Sequence, residues 1–106
     1  MLIRSQDKKV LCNYNGGILE IREKYEHEII NLTMVPVGTG EYNIFFLCNG
    51  DEILIGTYST AEKAINVLDM IENFYANLEY TKYAGSGYEE FLSVIFQMPK
   101  DAEVKV

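Results

Sequence analysis

The alternation of apolar and polar positions predicts a series of short strands in the first part of the chain. Residues 1–4 and 9–13 flank a polar turn and form the first predicted hairpin, and residues 18–25 alternate between apolar and charged side chains. Alternation with a period of two is typical of a strand that has one face in solvent. Further strands are predicted at residues 29–35, 42–48, 52–58 and 91–97.

Polar or glycine-containing stretches separate these later strands. Glu26-His27-Glu28 is predicted to be a solvated turn, and residues 37–40, with two glycines, are predicted to be a loop. Asn49-Gly50 favours the positive φ angles of a type I′ hairpin turn. The strand at 42–48 is apolar on both faces, which predicts either a central position or contact with a partner chain.

One helix is predicted at residues 61–78, and its apolar face is wider than a single sheet would cover. Ser59-Thr60-Ala61-Glu62 matches a capping box at its start. At about 100° per residue the apolar positions span roughly 220°, whereas a helix that rests on one layer needs about 100°. The excess predicts a second subunit against the helix, although a curled sheet or the segment after the helix would also cover it. The apolar positions are Ala61, Ala64, Ile65, Val67, Leu68, Met70, Ile71, Phe74, Tyr75 and Leu78.

Together these elements predict an α+β fold, an antiparallel β-meander of about six to seven strands with one amphipathic helix packed across it. Residues 1–98 form the predicted domain, and residues 99–106 form a loose C-terminal tail. The wide helix face and the two-sided strand also predict a homo-oligomer, a dimer or a larger assembly. Its predicted interface comprises Phe45, Leu47, Met70 and Phe74.

The charge of the chain limits the classes of ligand. The net charge is −7, which disfavours nucleic acid because phosphate backbones are repelled. Arg4, Lys8 and Lys9 outnumber Asp7 near the N-terminus, so a small anionic ligand is still an open alternative there. No signal-peptide pattern and no apolar stretch of bilayer length is present, so the expected location is the cytoplasm.

No catalytic or metal-binding motif stands out in the sequence. His27 is the only histidine, and in a strand its glutamate neighbours would face the opposite way. Cys12 and Cys48 form no C-x-x-C pair and are predicted to be free, buried thiols. Gly85-Ser86-Gly87 lacks the lysine and the strand-to-helix context of a phosphate-binding loop. The expected function is therefore non-enzymatic, with no cofactor and no metal.

The segment after the predicted helix is the best candidate for recognition. It holds Tyr80, Tyr83 and Tyr88 close to Gly85-Ser86-Gly87, and binding loops favour tyrosine because it offers a large rigid ring and a hydroxyl at low entropic cost. These rings would bind a planar ligand or a partner, or else would pack as a lid over the sheet. The predicted binding residues are Tyr80, Tyr83, Ser86 and Tyr88, joined by Arg4 and Lys8, with the basic residues supplied by a second subunit.

Three blocks of sequence resemble a known group of proteins. Residues 1–9 (MLIRSQDKK), 55–64 (IGTYSTAEKA) and 96–99 (FQMP) are similar to uncharacterised small proteins of Firmicutes genomes and of their phages or other mobile elements. The resemblance implies a cytoplasmic protein of a bacterial cell or of a phage-infected host. Small phage accessory proteins of this size often oppose host defence by binding a protein or a signalling nucleotide, and extending that role to this chain is an analogy.

Two function hypotheses from different classes follow. The first is a homo-oligomeric binding module, a phage accessory or anti-defence protein that sequesters a small nucleotide-type signal. The alternative is an acidic inhibitor that binds a basic host protein by mimicking nucleic acid. In that alternative Glu62, Asp69 and Glu72 lie on the exposed side of the helix, and binding weakens sharply with salt.

Overall fold

The computed structural model describes residues 1–83 and 94–105, and the side chains of residues 79–83 are not included in that description. The described chain forms six strands, an α-helix and a short 3₁₀ helix. In chain order the elements are β1 (Leu2–Arg4), β2 (Leu11–Asn13), β3 (Ile18–Ile30), β4 (Thr33–Cys48), β5 (Asp51–Tyr58), α1 (Ala61–Tyr83), β6 (Ile95–Gln97) and the 3₁₀ helix Asp101–Glu103.

The strands form two three-stranded sheets, and α1 packs across the larger one. The larger sheet is antiparallel with the order β3-β4-β5. In the smaller sheet, β1 lies between the antiparallel strand β2 and the parallel strand β6. The predicted α+β class with one helix across a sheet is confirmed. The strands differ from a single antiparallel meander in forming two sheets and in the parallel pairing of β6 with β1, which the long connection through α1 permits.

The core lies between α1 and the two sheets. Ala64, Val67 and Ile71 of α1 are buried at the spacing of one helix face. Phe74 packs edge-on against Phe96, with 5.3 Å between the ring centroids. The remaining buried core residues are Met1, Ile3, Cys12, Ile44, Phe46, Ile55, Tyr58, Met98 and Val104.

The wide apolar face of α1 divides into a covered centre and two exposed flanks. The buried and half-buried positions from Phe74 round to Leu68 span about 120° of the helix circumference. Ile65 and Met70 lie on opposite flanks and are exposed. The described residues therefore cover only the middle of the face that the sequence predicts to be covered.

The helix begins at the predicted place and ends later, but the predicted capping box of Ser59 and Glu62 is wrong, because the cap is Thr60 and the Ser59 amide is bonded to Asp101. The Thr60 hydroxyl accepts a hydrogen bond from the Lys63 amide (3.1 Å), which is the bond of an N-cap residue. The helix continues to Tyr83, so the prediction of a loop from residue 79 is wrong for residues 79–83. These residues contain neither glycine nor proline, and only those residue types strongly oppose a helix.

The C-terminal segment packs against the domain, and the prediction of a loose tail is wrong for the described residues. Met98 and Val104 are buried. The Asp101 carboxylate accepts the Ser59 amide (2.8 Å), and this bond lowers the pKa of Asp101. The sequence after Pro99 predicts a loose tail, but Asp101 is bonded to Ser59 and Lys63, which lie far away in the sequence.

The Gln6 side chain connects this segment to β5. Its amide nitrogen donates to the carbonyl oxygens of Thr57 (3.1 Å) and Pro99 (3.2 Å), and its amide oxygen accepts the Thr57 amide (3.0 Å). The Tyr58 hydroxyl, which is buried, donates to the same Pro99 carbonyl (2.7 Å). These bonds satisfy buried polar groups where the two sheets meet.

The hairpin between β4 and β5 is the one that Asn49-Gly50 predicts. Asn49 and Gly50 have φ angles of 52° and 83°, and Cys48 pairs with Asp51 across the turn. Two consecutive positive φ angles are those of a type I′ turn. The prediction is confirmed.

The hairpin between β3 and β4 is much longer than the sequence predicts. β3 continues through Glu26-His27-Glu28, and the chain turns at Asn31-Leu32. The turn predicted at 26–28 and the loop predicted at 37–40 are therefore wrong. Pro36 is accommodated because β4 pairs with β5 only as far as Tyr42, so the position of Pro36 needs no second hydrogen-bonding partner.

The distal part of this hairpin, residues 25–38, is called the arm. It projects beyond β5 and gives the molecule extents of 64 × 32 × 19 Å. The radius of gyration is 16.5 Å, compared with about 13 Å for a compact domain of this length. The excess shows that much of the arm lies away from the core.

Candidate functional site

The arm is an amphipathic two-stranded ribbon. Cross-strand pairs place Tyr25 with Gly38, His27 with Pro36, and Ile29 with Met34. Because paired residues share a face, these six residues form one side, called the apolar face of the arm. The opposite side carries Glu26, Glu28, Ile30, Thr33, Val35 and Val37.

No described residue covers the apolar face of the arm. Ile29 is 73% exposed and Met34 is 66% exposed, and Tyr25 is also exposed. The same positions of β3 continue inwards as Leu19 and Ile21, which pack against the core. The arm therefore extends the core-facing surface of the sheet into solvent without any described residue to cover it.

The tip of the arm carries an unfavourable residue. Leu32 has a φ angle of 63° and is 98% exposed. The left-handed conformation costs roughly 1–2 kcal/mol for a residue with a β-carbon, and asparagine or glycine is the usual occupant. No described residue covers the Leu32 side chain, so contacts among the described residues do not offset this cost.

The outer face of the larger sheet, on the side away from α1, is the second apolar surface. Phe45 pairs with Leu54 and Leu47 pairs with Ile18, and Ile18 and Leu54 are exposed. Arg22 lies 4.9 Å from the centroid of the Phe45 ring, close enough for a cation–π contact. The Arg22 side chain on the same face covers part of this surface.

Arg22 is held between two carboxylates on that outer face. Its guanidinium donates to Glu20 (3.0 Å) and to both oxygens of Glu52 (2.8 and 3.0 Å). The contact with Arg22 lowers the pKa of Glu52. All three side chains are partly exposed, so each pair contributes little to stability, and their main effect is to fix the guanidinium over the sheet.

An apolar depression lies between the start of β3 and α1. Its volume is about 420 Å³, and Leu19, Leu68 and Ile71 contribute apolar side chains to it. Tyr14 closes one side and packs on Tyr75, with 4.9 Å between the ring centroids. The other lining residues are Gly17, Ile18 and Glu72.

Basic residues lie at the C-terminal end of β1, the middle strand of the smaller sheet, and in the segments that follow β1 and β6. Arg4 of β1 pairs with Gln97 of β6. A depression of about 410 Å³ beside them is lined by Lys8 and Lys100, together with Gln6, Gln97, Met98 and Glu103. Among the described residues, none of Arg4, Lys8 and Lys100 forms an ion pair. The three cations are called the basic edge.

The sequence predicted part of the basic edge and missed the rest. Arg4 and Lys8 were predicted from local charge, whereas Lys100 and Gln97 reach this place only through the parallel pairing of β1 with β6. Lys100 lies in the segment that is predicted to be a loose tail. No local pattern indicates either residue.

The structure separates the residues of the predicted oligomer interface. Phe45 and Leu47 are half-buried on the outer face, and Met70 is exposed on a flank of α1. Phe74 packs inside the protomer against Phe96. These four residues therefore do not form one surface. The side chains of Tyr80 and Tyr83, and the whole of Ser86 and Tyr88, lie outside the described residues.

The described residues show no metal-binding group of three or more histidine, cysteine or acidic side chains. Cys12 is buried, and this burial raises the pKa of its thiol. Cys48 is half-buried and, like Cys12, is a free thiol. No helix in the described part of the chain is long and apolar enough to cross a membrane.

The chain matches no family model, and no curated protein or solved structure is significantly similar to it. Function therefore has to be inferred from the arm, the apolar depression and the basic edge.

Proposed function

We propose that the chain is a non-enzymatic, homo-oligomeric binding module that takes up a small anionic ligand of the nucleotide class. The observation that carries the proposal is the arm, whose apolar face and leucine tip are left uncovered by the described residues. Exposed apolar surface of this kind marks an interaction site. A second copy of the chain is the partner that every solution of the protein contains.

The basic edge supplies the ligand site. Arg4, Lys8 and Lys100 are cations without ion-pair partners in the described residues, on a chain with a net charge of −7. Charged hydrogen bonds to phosphate are strong, and arginine binds phosphate in a bidentate manner. A compact phosphate group fits such a site, whereas a long nucleic acid would meet the acidic remainder of the surface.

The biological role follows from sequestration. A protein that binds a signalling nucleotide without converting it lowers the free concentration of that signal. For a phage accessory protein, this activity would oppose a host defence that depends on the signal. The resemblance of residues 1–9, 55–64 and 96–99 to small Firmicutes and phage proteins supports this context.

Isothermal titration calorimetry with cyclic and ADP-ribose-type nucleotides tests the ligand class. We expect binding by the unmodified chain and at least a tenfold weaker affinity in the double variant Lys8→Ala/Lys100→Ala, because each charge-assisted bond contributes about 1.5–3 kcal/mol. Lys105→Ala is the matched control, since Lys105 is exposed and lies outside the basic edge. No heat with any nucleotide at millimolar concentration would refute the ligand class.

A second candidate function rests on the acidic side of α1. Glu62, Asp69 and Glu72 are exposed and form no ion pair among the described residues. A basic host protein would contact this side in the manner of nucleic-acid mimicry. Capture of a host protein that is lost between low and high salt would favour this function over nucleotide binding.

A further inference from the structure

We infer that the chain forms a two-fold dimer in which the free edge of β3 pairs antiparallel with β3 of a second copy, in a register centred on Tyr25. The arm of each copy then lies along the sheet of the other. This inference rests on the proposed homo-oligomeric function and specifies how the oligomer is built. Four features of the protomer support it.

The first feature is a long, continuous edge. β3 bonds to β4 on one side, and no described strand lies on its other side. The irregularity at the base of the arm puts the extra residues into β4, where Glu23 pairs with Tyr42 and Tyr25 pairs with Gly38. β3 itself runs unbroken for 13 residues. An edge strand of this length is a template for pairing with another chain.

The second feature is the order of charges along β3. A two-fold axis normal to the sheet at Tyr25 places Lys24 opposite Glu26 of the partner subunit and Arg22 opposite Glu28 of the partner subunit. Opposite charges that face each other across an antiparallel pair are favourable. The symmetry repeats the Lys24–Glu26 contact, so the dimer gains two such pairs on one face, while Arg22 stays bonded to Glu20 and Glu52 of its own copy.

Neighbouring registers keep opposite-charge pairs, Arg22 with Glu26 or Lys24 with Glu28, but they add like-charge pairs that the register centred on Tyr25 avoids. Centring the pair on Lys24 would set Lys24 against its own copy and Glu20 against Glu28. Centring it on Glu26 would set Glu26 against its own copy. Like charges directly opposite each other are unfavourable, so the charge pattern selects the register centred on Tyr25.

The third feature is the set of residue pairs that this register makes on the core-facing side of β3. In the same register, Ile29 lies opposite Ile21 of the partner subunit, and Tyr25 lies opposite its own copy. Glu23 lies opposite His27 of the partner subunit. The exposed apolar face of the arm thus continues the partner's core-facing surface.

The fourth feature is the apolar depression beside β3. With Ile29 opposite Ile21, the tip of the arm reaches the level of Ile18 and Gly17 in the other copy. These two residues line the depression of about 420 Å³, together with Leu68 and Ile71 of α1. Leu32 therefore lies opposite the exposed Ile18 of the partner subunit, beside this depression.

Site-specific cross-linking tests the register. In a Cys48→Ser background, Tyr25→Cys places two thiols at the two-fold axis. Opposed α-carbons in an antiparallel pair are about 4.5–5.5 Å apart, within the range of a disulfide. His27→Cys is the matched control on the same face, because its two copies would be roughly 13 Å apart along the strands. Both positions are exposed and lie outside the core, so both variants are expected to fold.

Mild oxidation should convert most of Tyr25→Cys, and little of His27→Cys, to a covalent dimer on a non-reducing gel. Equal cross-linking of the two variants, or none in either, would overturn the inference. A chain that is dimeric by light scattering but does not cross-link through Tyr25→Cys would disprove this register and leave the homo-oligomeric function standing. A monomer at all concentrations would disprove both.

Discussion

Replacing Leu32 with asparagine is expected to weaken dimerisation about 100-fold or more while leaving the folded protomer at least as stable. Burial of a leucine side chain contributes about 2 kcal/mol, and the two-fold symmetry removes two such contacts, which corresponds to at least two orders of magnitude in Kd. Asparagine adopts the left-handed conformation more readily than leucine. The substitution therefore relieves backbone strain in the protomer and removes the apolar tip.

Sedimentation equilibrium measures the dimer Kd, and thermal unfolding at low concentration measures the protomer. Leu54→Asn is the matched control, because Leu54 is an exposed leucine on the outer face and lies away from the free edge of β3. It should leave the dimer Kd within about threefold, since scattered exposed apolar residues are ordinary on protein surfaces. An unchanged Kd in Leu32→Asn would contradict the role of the arm tip.

The largest loss of protomer stability is expected from Gly17→Ala. A β-carbon at this position would lie 2.1 Å from Cζ of Phe46, and Phe46 is buried in the core. The ring has to move or the start of β3 has to shift, and overpacking of this kind costs typically about 1–3 kcal/mol. Because 2.1 Å is much shorter than a van der Waals contact, we expect the loss of unfolding free energy to lie near the upper end of that range.

Urea denaturation measures this loss as a lower midpoint with an unchanged slope. Gly40→Ala is the control, because a β-carbon there would meet nothing within 4 Å, although the φ angle is 79°. Its expected loss is only the strain of the left-handed conformation, about 1–2 kcal/mol. Similar urea midpoints for the two variants would show that crowding against Phe46 does not lower the free energy of unfolding more than the backbone strain at Gly40 does.

The parts of the fold that the sequence predicts well depend on short-range physics. Asn49-Gly50 fixes a type I′ turn through the φ angles that its two residues tolerate. Thr60 caps α1 because its hydroxyl reaches an amide within the next turn. Each of these features is determined by a few adjacent residues, so a single sequence is enough to find it.

The sequence does not predict the arm, because regular alternation of apolar and polar residues is expected only where one face of a strand packs on a core. The arm projects away from the core. Glu26-His27-Glu28 reads as a turn when a strand is expected to bury every second residue. In a projecting ribbon both sides meet solvent, so consecutive polar residues are compatible with a strand. Pro36 also predicts the end of a strand, and it is tolerated here because β4 has one neighbouring strand at that level.

The wide helix face contributes to a predicted subunit interface of Phe45, Leu47, Met70 and Phe74, which the structure does not bring into one surface. Ile65 and Met70 are exposed, but they lie on opposite flanks of α1. The larger uncovered surface belongs to β3 and β4. Pairing between strands that are far apart in the sequence determines which apolar surface stays uncovered. No local sequence pattern indicates that surface.

The basic edge shows the same dependence on long-range pairing. Arg4 and Lys8 are close in sequence, but Lys100 joins them only because β6 lies beside β1. In a two-fold dimer each copy would keep its own basic edge, on the smaller sheet and away from the free edge of β3. Ligand uptake and dimerisation are therefore expected to be separable by mutation.

Exchange of the charges that face each other is the most direct test of the pairing between β3 and β3 of a second copy in the register centred on Tyr25. Lys24→Glu and Glu26→Lys each place like charges opposite each other in a homodimer. When the two variants are mixed, each contact in the heterodimer regains opposite charges. Native mass spectrometry, with one variant labelled with ¹⁵N, measures the three dimer populations. We predict that the heterodimer exceeds each homodimer at least tenfold, and a statistical mixture of the three species would contradict this pairing.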